Sequence, residues 1–474
     1  MASETAPFCV TGATGKGGAS PAHARPHGHV VLTTRIHDAL VFAAGAVAAV
    51  LLLLCFSSLL APTPVPNLVA GPSLPFPTSF PQHQAEDDDS DSEGLYARLA
   101  ARPRTFYDDD AGLSYAVDRR VTGWDAKRAE WLRQHYPRGL RARRGPGERV
   151  VMLSGSQSYP CAGDGGDHML LRFLKNKLDY ARLHGMELLY NTALLQPQMV
   201  AYWAKIPVVR AAMLAHPEAE WVWWLDADAV ITDMDFALPL ATRYKDHNLV
   251  VHGWDREVYG ARSWVGLNAG VFLIRNCQWS LDFMDAWASM GPASPDYARW
   301  GKTLMATLSD KPDAESDDQS ALAYLLLKNR KKWGARTYLE HDYYFQGYWA
   351  EIVDKLDGVA ARYRAAERRF GPALRRRHAE GEHALYAAAR SAALRKKDGG
   401  VPGPDGGGQR ASWRRPFVTH FTGCNPCGGK PNEIYSNETC ADGMRRALNL
   451  ADDQVLRAYG FRHAGPLKDD VRPL

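Results

Sequence analysis

The sequence predicts an α/β protein tethered by one N-terminal membrane helix, and three observations carry that reading. From about Glu148 onward, short apolar runs alternate with longer stretches of helical periodicity, the pattern of strands and helices taken in turn. Ahead of that body lies an uncharged apolar run over residues 39–61. Between the two, proline and acidic residues displace apolar ones, so no core can form there.

The apolar run reads ALVFAAGAVAAVLLLLCFSSLLA. Its 23 residues would rise about 34 Å as a helix, enough to cross a hydrocarbon layer of ~30 Å. It is too long and begins too far into the chain for a cleaved signal peptide, and no clear small-x-small site follows it. Lys16, Arg25 and Arg35 precede the run, whereas no basic residue follows until Arg98. That bias places residues 1–38 in the cytosol and everything after residue 61 in the lumen, a single-pass type II arrangement. Residues 62–103 read as a stem. Seven prolines within 62–81 give a semi-extended spacer, and EDDDSDSE at 86–93 stays solvated by repulsion among its charges. Residues 104–474 form the expected lumenal domain.

Within that domain residues 150–153 are a β-rich run ending in Ser154-Gly155-Ser156. Leu170, Phe173, Leu174, Leu178 and Ala181 mark a helical stripe over 167–184, stopped by Gly185. Residues 186–190 read as strand and 205–216 as helix, with Pro207 in its first turn. Strands are expected at 221–225, 249–251 and 271–274, and helices at 279–287 and 319–327. In such alternation ligands gather at the C-terminal ends of the strands. Residues 360–396, dense in Arg, Ala and Glu, read as one or two exposed helices, and KDGGVPGPDGGG at 397–408 as an exposed loop.

Composition excludes several classes. With 57 basic against 53 acidic residues the net charge is +4, too mild for a nucleic-acid binder. Hydrophobic residues at 46% and charged residues at 23% exclude wholesale disorder. Five cysteines fall on the lumenal side: Cys161, Cys277, Cys424, Cys427 and Cys440. Five is odd, so at most two disulfides form among them, and their pairing cannot be deduced. Cys424 and Cys427 make a CxxC with no second CxxC or His pair, which argues against zinc. Asn437-Glu438-Thr439 is an Asn-x-Thr sequon on the side where glycosylation occurs.

The chemistry concentrates after the strand at 221–225. That apolar run ends abruptly in Asp226-Ala227-Asp228, two carboxylates at i and i+2, which extended chain would point to one side. Like charges at the end of a buried strand repel unless a cation or donor compensates them. Hard oxygen ligands with open positions suit Mg²⁺ or Mn²⁺ bridged to a diphosphate. An isolated Asp-x-Asp is more often a polar strand end or turn cap; the strand context is what raises it above that.

The blocks WVWWLDADAVITDMDF (221–236), NLVVHGW (248–254), GLNAGVFLIRNCQWSLDFMDAWASMGP (266–292), SDDQSALAYLL (316–326), YYFQGYW (343–349) and HFTGCNPCGG (420–429) resemble the plant galactomannan galactosyltransferases and xyloglucan xylosyltransferases, glycosyltransferase family 34. The stretches at 105–128 and 202–221 fit as well, so the resemblance spans roughly 104–461. It implies a GT-A fold, a nucleotide-sugar-binding α/β sandwich. It also implies a UDP-sugar donor, Mn²⁺, retention at the anomeric carbon, and attachment of α-1,6 side groups to β-1,4-linked hemicellulose in the Golgi.

The resemblance also implies roles for particular residues. Asp226 and Asp228 match the family's metal motif, with Ala227 where many members have Ser, and His420 is the implied third ligand. An imidazole beside two carboxylates shifts preference from Mg²⁺ toward Mn²⁺. Asp317, Asp318 and Gln319 are placed beside the sugar, although one of the two acids is expected to be a helix cap. Asn268 would hydrogen-bond the donor sugar, and His252 is near it at a strand end. Lys177, Asp179 and Tyr180 lie on the helix after the first strand, where similar folds hold uridine and ribose. Gly423 would let backbone approach a phosphate. Asn425 stands where xyloglucan-type members carry Lys, which leans the expectation toward UDP-galactose with a mannan acceptor over UDP-xylose with a glucan acceptor. Trp221, Trp223 and Trp224 are expected in the core. The reading is a Golgi type II retaining transferase of galactosyl or xylosyl units, with a homo-oligomer, or a hetero-oligomer with other Golgi glycosyltransferases, as its expected assembly. The alternative is a catalytically silent relative that binds glycan or scaffolds sibling enzymes.

Overall fold

The computed structural model describes residues 117, 119–136, 149–162, 165–370, 386–387, 389–390, 416–428 and 430–474. The expected cytosolic tail, membrane span and stem lie outside them, as does the loop at 397–408. Among the described residues no helix is long and apolar enough to cross a membrane.

After helix α1 (Trp124–His135) come β1 (Val150–Gly155), α2 (Gly166–His184), β2 (Glu187–Asn191), α3 (Lys205–Ala215), β3 (Trp221–Leu225) and β4 (Ala229–Ile231). The middle of the chain supplies β5 (Leu249–Gly253), β6 (Leu267–Arg275), α4 (Gln278–Ala288), α5 (Tyr297–Thr307), α6 (Asp318–Lys328) and β7 (Thr337–Glu340). Then follow β8 (Gly347–Tyr348), α7 (Trp349–Ile352), α8 (Leu356–Phe370), β9 (Val418–His420), α9 (Asn437–Leu456), β10 (Phe461–His463) and β11 (Val471–Pro473).

The central sheet has the order β2-β1-β3-β6-β5-β7. Its pairs are parallel except where β6 runs antiparallel to β3 and β5. Strand β3 shows why its sequence is wholly apolar: every residue is buried. Trp221, Trp223 and Leu225 enter one core with Tyr180 and Phe417, while Val222 and Trp224 enter the other with Ile206, Met213 and Met284. A strand covered on both faces has no polar side to alternate with. The strand tryptophans are therefore core residues, and truncating Trp223 to Ala would cost about 3–5 kcal/mol.

Helix α2 turns Leu170, Phe173, Tyr180 and Ala181 inward and ends where Gly185 takes φ +65°, its N–H reaching back to Ala181 and Arg182. A second, three-stranded sheet, β4-β9-β8, was not expected, because strands of two and three residues are too short to show a period. In the stretch read as exposed helices, α8 starts earlier, at Leu356, and buries Leu356, Val359 and Tyr363.

Two disulfides tie the domain, Cys161–Cys427 and Cys424–Cys440, leaving Cys277 unpaired. The two cysteines of the CxxC thus take different partners, which removes them as zinc ligands. A protein beginning at residue 104 should titrate one thiol when denatured without reductant and five after reduction. Three or more thiols before reduction would refute the pairing.

Candidate active site

The C-terminal edge of β3 and the N-terminal edge of β6 lie side by side, because the two strands are antiparallel with Leu225 opposite Val271. Asp226 extends that ladder by one step, its N–H donating to the Gly270 carbonyl at 2.8 Å. The chain then turns sharply. The Ala229 N–H bonds to the Asp226 carbonyl at 3.1 Å, closing a four-residue turn. Asp226 and Asp228 therefore converge through a turn, and not through the strand alternation expected from their spacing.

The second sheet supplies the third group. Strand β9 pairs antiparallel with β4 so that His420 lies opposite Ala229. Its Nε2 lies 3.1 Å from Asp228 Oδ1 and 3.8 Å from Asp226 Oδ2. One ligand atom from each of the three residues falls within 4.8 Å of the others. On the far side of the ring, the Gln346 amide sits 3.2 Å from Nδ1. Its nitrogen faces the ring and donates to Nδ1; turned over to present its oxygen, the amide would instead accept an Nδ1–H and leave Nε2 as a lone-pair donor, the tautomer a metal ligand needs. Gly270 makes room for the cluster: a Cβ on it would stand 2.2 Å from His420 Cε1 and 2.7 Å from Asp226 Oδ2.

Two buried lysines complete the electrostatics. The Lys205 ammonium lies 3.0 Å from Asp226 Oδ1 and 2.9 Å from Asp318 Oδ2, and also donates to the Ala269 carbonyl. Burial would lower its pKa, but Asp226 and Asp318 raise it well above the ordinary lysine value. Lys177 donates to the carbonyls of Ala227 at 3.0 Å and Ala229 at 2.8 Å, bracing the turn from beneath. Burial lowers it to about 7, against the pull of Asp228 and Asp226. Burial would raise the Asp228 carboxyl, but His420 and then Lys177 hold it below the usual carboxylate range. His420 answers in kind: burial works to lower it, and Asp228 raises it above an ordinary imidazole.

The remaining predicted residues separate into two groups. Asp318, Gln319 and Asn268 join the strand edge. The Gln319 amide donates to the Trp264 carbonyl at 3.1 Å and accepts the Ala269 N–H at 3.4 Å, while Asn268 Oδ1 accepts the Gly270 N–H at 2.8 Å. His252, one residue before the end of β5, lies opposite Asn268, past a register shift, its ring edge-on to Trp254. Asp317 is the helix cap: its carboxylate accepts the Ser320 N–H at 2.7 Å and pairs with Lys311.

Asp179 and Tyr180 are not brought to the cluster. Asp179 pairs with Lys175 at 2.6 Å, and Tyr180 is fully buried with its hydroxyl on the Phe236 carbonyl. Gly423 takes φ +83° against Asn432, and Asn425 takes φ +45° with its amide on the Lys430 carbonyl. Asn437 is exposed in the first turn of α9. Lys205 and Gln346 had not been foreseen. Their signals were a lone cation heading an apolar helix and a glutamine among aromatics. Another acid–imidazole group, Glu187, His216 and Glu218, lies at the opposite strand edge, where the Arg149 guanidinium already pairs with both glutamates.

A mixed α/β sheet with such a group at its strand ends is a glycosyltransferase-like arrangement. Residues 147–431, more than half of the chain, match the galactosyl transferase GMA12/MNN10 family, and the chain belongs to it, glycosyltransferase family 34. It is 67% identical over 481 residues to probable glycosyltransferase 6 of Oryza sativa subsp. indica, covering 100% of this chain and 98% of that one. It is 51% identical over 373 residues to galactomannan galactosyltransferase 1 of Cyamopsis tetragonoloba, covering 78% and 81% respectively. With glycosyltransferase 6 of Arabidopsis thaliana it shares 49% identity over 389 residues, 82% of this chain and 87% of that one.

Gly270→Ala should displace the His420 ring and lower transferase turnover about 100-fold, with the circular dichroism spectrum retained. Turnover at the parental level would show that the ring's position does not matter. Lys205→Met leaves the buried Asp318 and the partly exposed Asp226 without their shared cation and should cost about 3–5 kcal/mol at pH 7. Burial already raises the Asp318 carboxyl, opposed by Lys205, so the variant should protonate it more readily still. The deficit should therefore shrink between pH 7 and pH 5 in urea denaturation. A deficit that grows with acid would refute this account.

Proposed function

We propose that this glycosyltransferase moves an α-galactosyl or α-xylosyl unit, with retention, from a UDP-sugar to O6 of a β-1,4-linked hemicellulose backbone. The convergence of Asp226, Asp228 and His420 at the strand edge carries the reading. Two carboxylates and an imidazole with an open side fit Mn²⁺, which when bound would neutralise the diphosphate as UDP leaves. UDP-galactose with a mannan acceptor is favoured over UDP-xylose with a glucan acceptor. The identity to a relative named as a galactomannan galactosyltransferase supports that order, as does Asn425 in place of Lys.

Asn268 and Gln319 would orient the donor sugar, each already fixed by backbone hydrogen bonds. An amide held in this way is a poor nucleophile, so a covalent glycosyl–enzyme intermediate on Gln319 is disfavoured. The acceptor hydroxyl would attack the same face of C1 from which UDP departs, and the leaving phosphate would take its proton. Asp318, paired to Lys205, would hold acceptor or sugar hydroxyls. The reading places this chemistry in the Golgi lumen, with residues 39–61 as the anchor and Asn437, exposed at the start of α9, as a glycan carrier.

UDP release measured with UDP-galactose and UDP-xylose, each with mannohexaose or cellohexaose, tests the proposal. Galactose transfer to the mannan oligomer should lead, EDTA should abolish it, and Mn²⁺ should restore it better than Ca²⁺. Full turnover in EDTA would remove the metal assignment. Clear turnover of UDP-xylose on cellohexaose alone would reverse the donor while leaving the cluster standing.

A further inference from the structure

Outside that site, α8, α9 and the β10–β11 hairpin line a half-open cavity of about 350 Å³, within the size range of small-ligand pockets. Guanidinium groups dominate its polar lining: Arg364 from α8, Arg446 from α9, Arg457 just beyond it, and Arg462 and Arg472 from the hairpin. Among the described residues two carboxylates line it, and both are already engaged. Asp357 pairs with Arg446 at 2.9 Å, and Asp453 accepts the backbone N–H of His463 at 2.6 Å. Among the described residues Arg364, Arg462 and Arg472 have no carboxylate partner, and the Nε of Arg462 is buried without a hydrogen bond.

The hairpin register sharpens this imbalance. Strands β10 and β11 are antiparallel, with Arg462 directly opposite Arg472. Directly opposed residues share one face of a ribbon about 5 Å apart, and like charges placed so destabilise the pairing. A ribbon of three residues per strand has few ladder bonds of its own, and its other ties run to α9, through His463 with Asp452 and Asp453 and through Asn449 with the Pro466 and Lys468 carbonyls. An anion between the two guanidiniums would turn the repulsion into attraction, and the planar fork of arginine suits phosphate and carboxylate oxygens alike.

We propose that this cavity binds a small polyanion, a molecule presenting two or more phosphate or carboxylate groups, one bridging Arg462 and Arg472 and another reaching Arg364. Its occupancy would fasten the C-terminal hairpin onto α8.

The test uses the full-length protein, purified in detergent, in low-salt phosphate-free buffer with EDTA so that a diphosphate is not drawn to the carboxylate–imidazole cluster. Inorganic pyrophosphate and tri-galacturonic acid are titrated separately by calorimetry and thermal shift. At least one should bind and raise Tm. The double variant Arg462→Gln/Arg472→Gln should weaken that binding tenfold or more, Arg364→Gln should weaken it in the same direction, and Asp226→Asn should leave it intact. Binding of pyrophosphate alone identifies phosphate as the recognised chemistry, and binding of the uronate alone identifies an acidic glycan. Neither ligand binding, or binding indifferent to the arginine variants or lost with Asp226→Asn, overturns the proposal. If the double variant fails to fold, Arg364→Gln decides. Arg472→Gln should also raise Tm in anion-free buffer by relieving the opposed charges, and an unchanged or lower Tm would overturn the argument from register.

Discussion

Asp226 and Asp228 carry negative charge at the end of a strand whose every residue is buried, themselves only partly exposed, so water screens them poorly. The folded chain compensates them from three directions. Lys205 comes from the head of α3, Lys177 supports the turn from α2, and His420 arrives on β9. All three groups are buried, so a positive charge on any of them would be costly without the carboxylates. The helices and the small sheet that carry these groups are held to one another partly by this mutual need. The open side of the cluster is where a further cation or a polar substrate can enter.

The topology makes this convergence possible. An all-parallel sheet would put only strand C-termini at one edge, whereas the reversed strand β6 brings its own beginning there. Asn268, Ala269 and Gly270 thereby present backbone and amide groups beside the turn, and Lys205 can bond the Ala269 carbonyl as well as two acids. The short β4-β9 pairing then carries His420 across roughly 190 residues of intervening sequence to within hydrogen-bond distance of Asp228. Gly270 is required where these pieces meet, because any side chain would occupy the imidazole's place.

What the sequence disclosed follows from which constraints are local. The strand at 221–225 was legible because burial on both faces writes an unbroken apolar run, and α2 because its stripe ends at a glycine in the left-handed region. The carboxylate pair was legible as chemistry but not as geometry, since a turn and a strand end look alike in three letters. Lys205 carries no such signal, because a lysine before Ile-Pro-Val-Val reads as the polar start of an amphipathic helix. Only the fold reveals that the two acids beside it lie 21 and 113 residues further along the chain. Asp179 and Tyr180 illustrate the converse error. Their position on the helix after β1 suggested a nucleotide contact, but helical phase turned one to a surface ion pair and the other into the core.

The loop after β9 shows how a covalent constraint can decide what a side chain does. Cys424 is tied to Cys440 at the start of α9, and Cys427, three residues on, is tied to Cys161 beyond the end of β1. A segment pulled toward two elements must bend sharply between its anchors, and it does so with Gly423 at φ +83° and Asn425 at φ +45°. Asparagine tolerates the left-handed region better than other side-chain-bearing residues, and here its amide also closes a hydrogen bond to the Lys430 carbonyl. A lysine at this position would lose that bond and adopt a backbone conformation costing on the order of 1 kcal/mol more. The identity of residue 425 therefore answers first to the path imposed by two disulfides. Any difference it makes at a bound phosphate is superimposed on that backbone requirement.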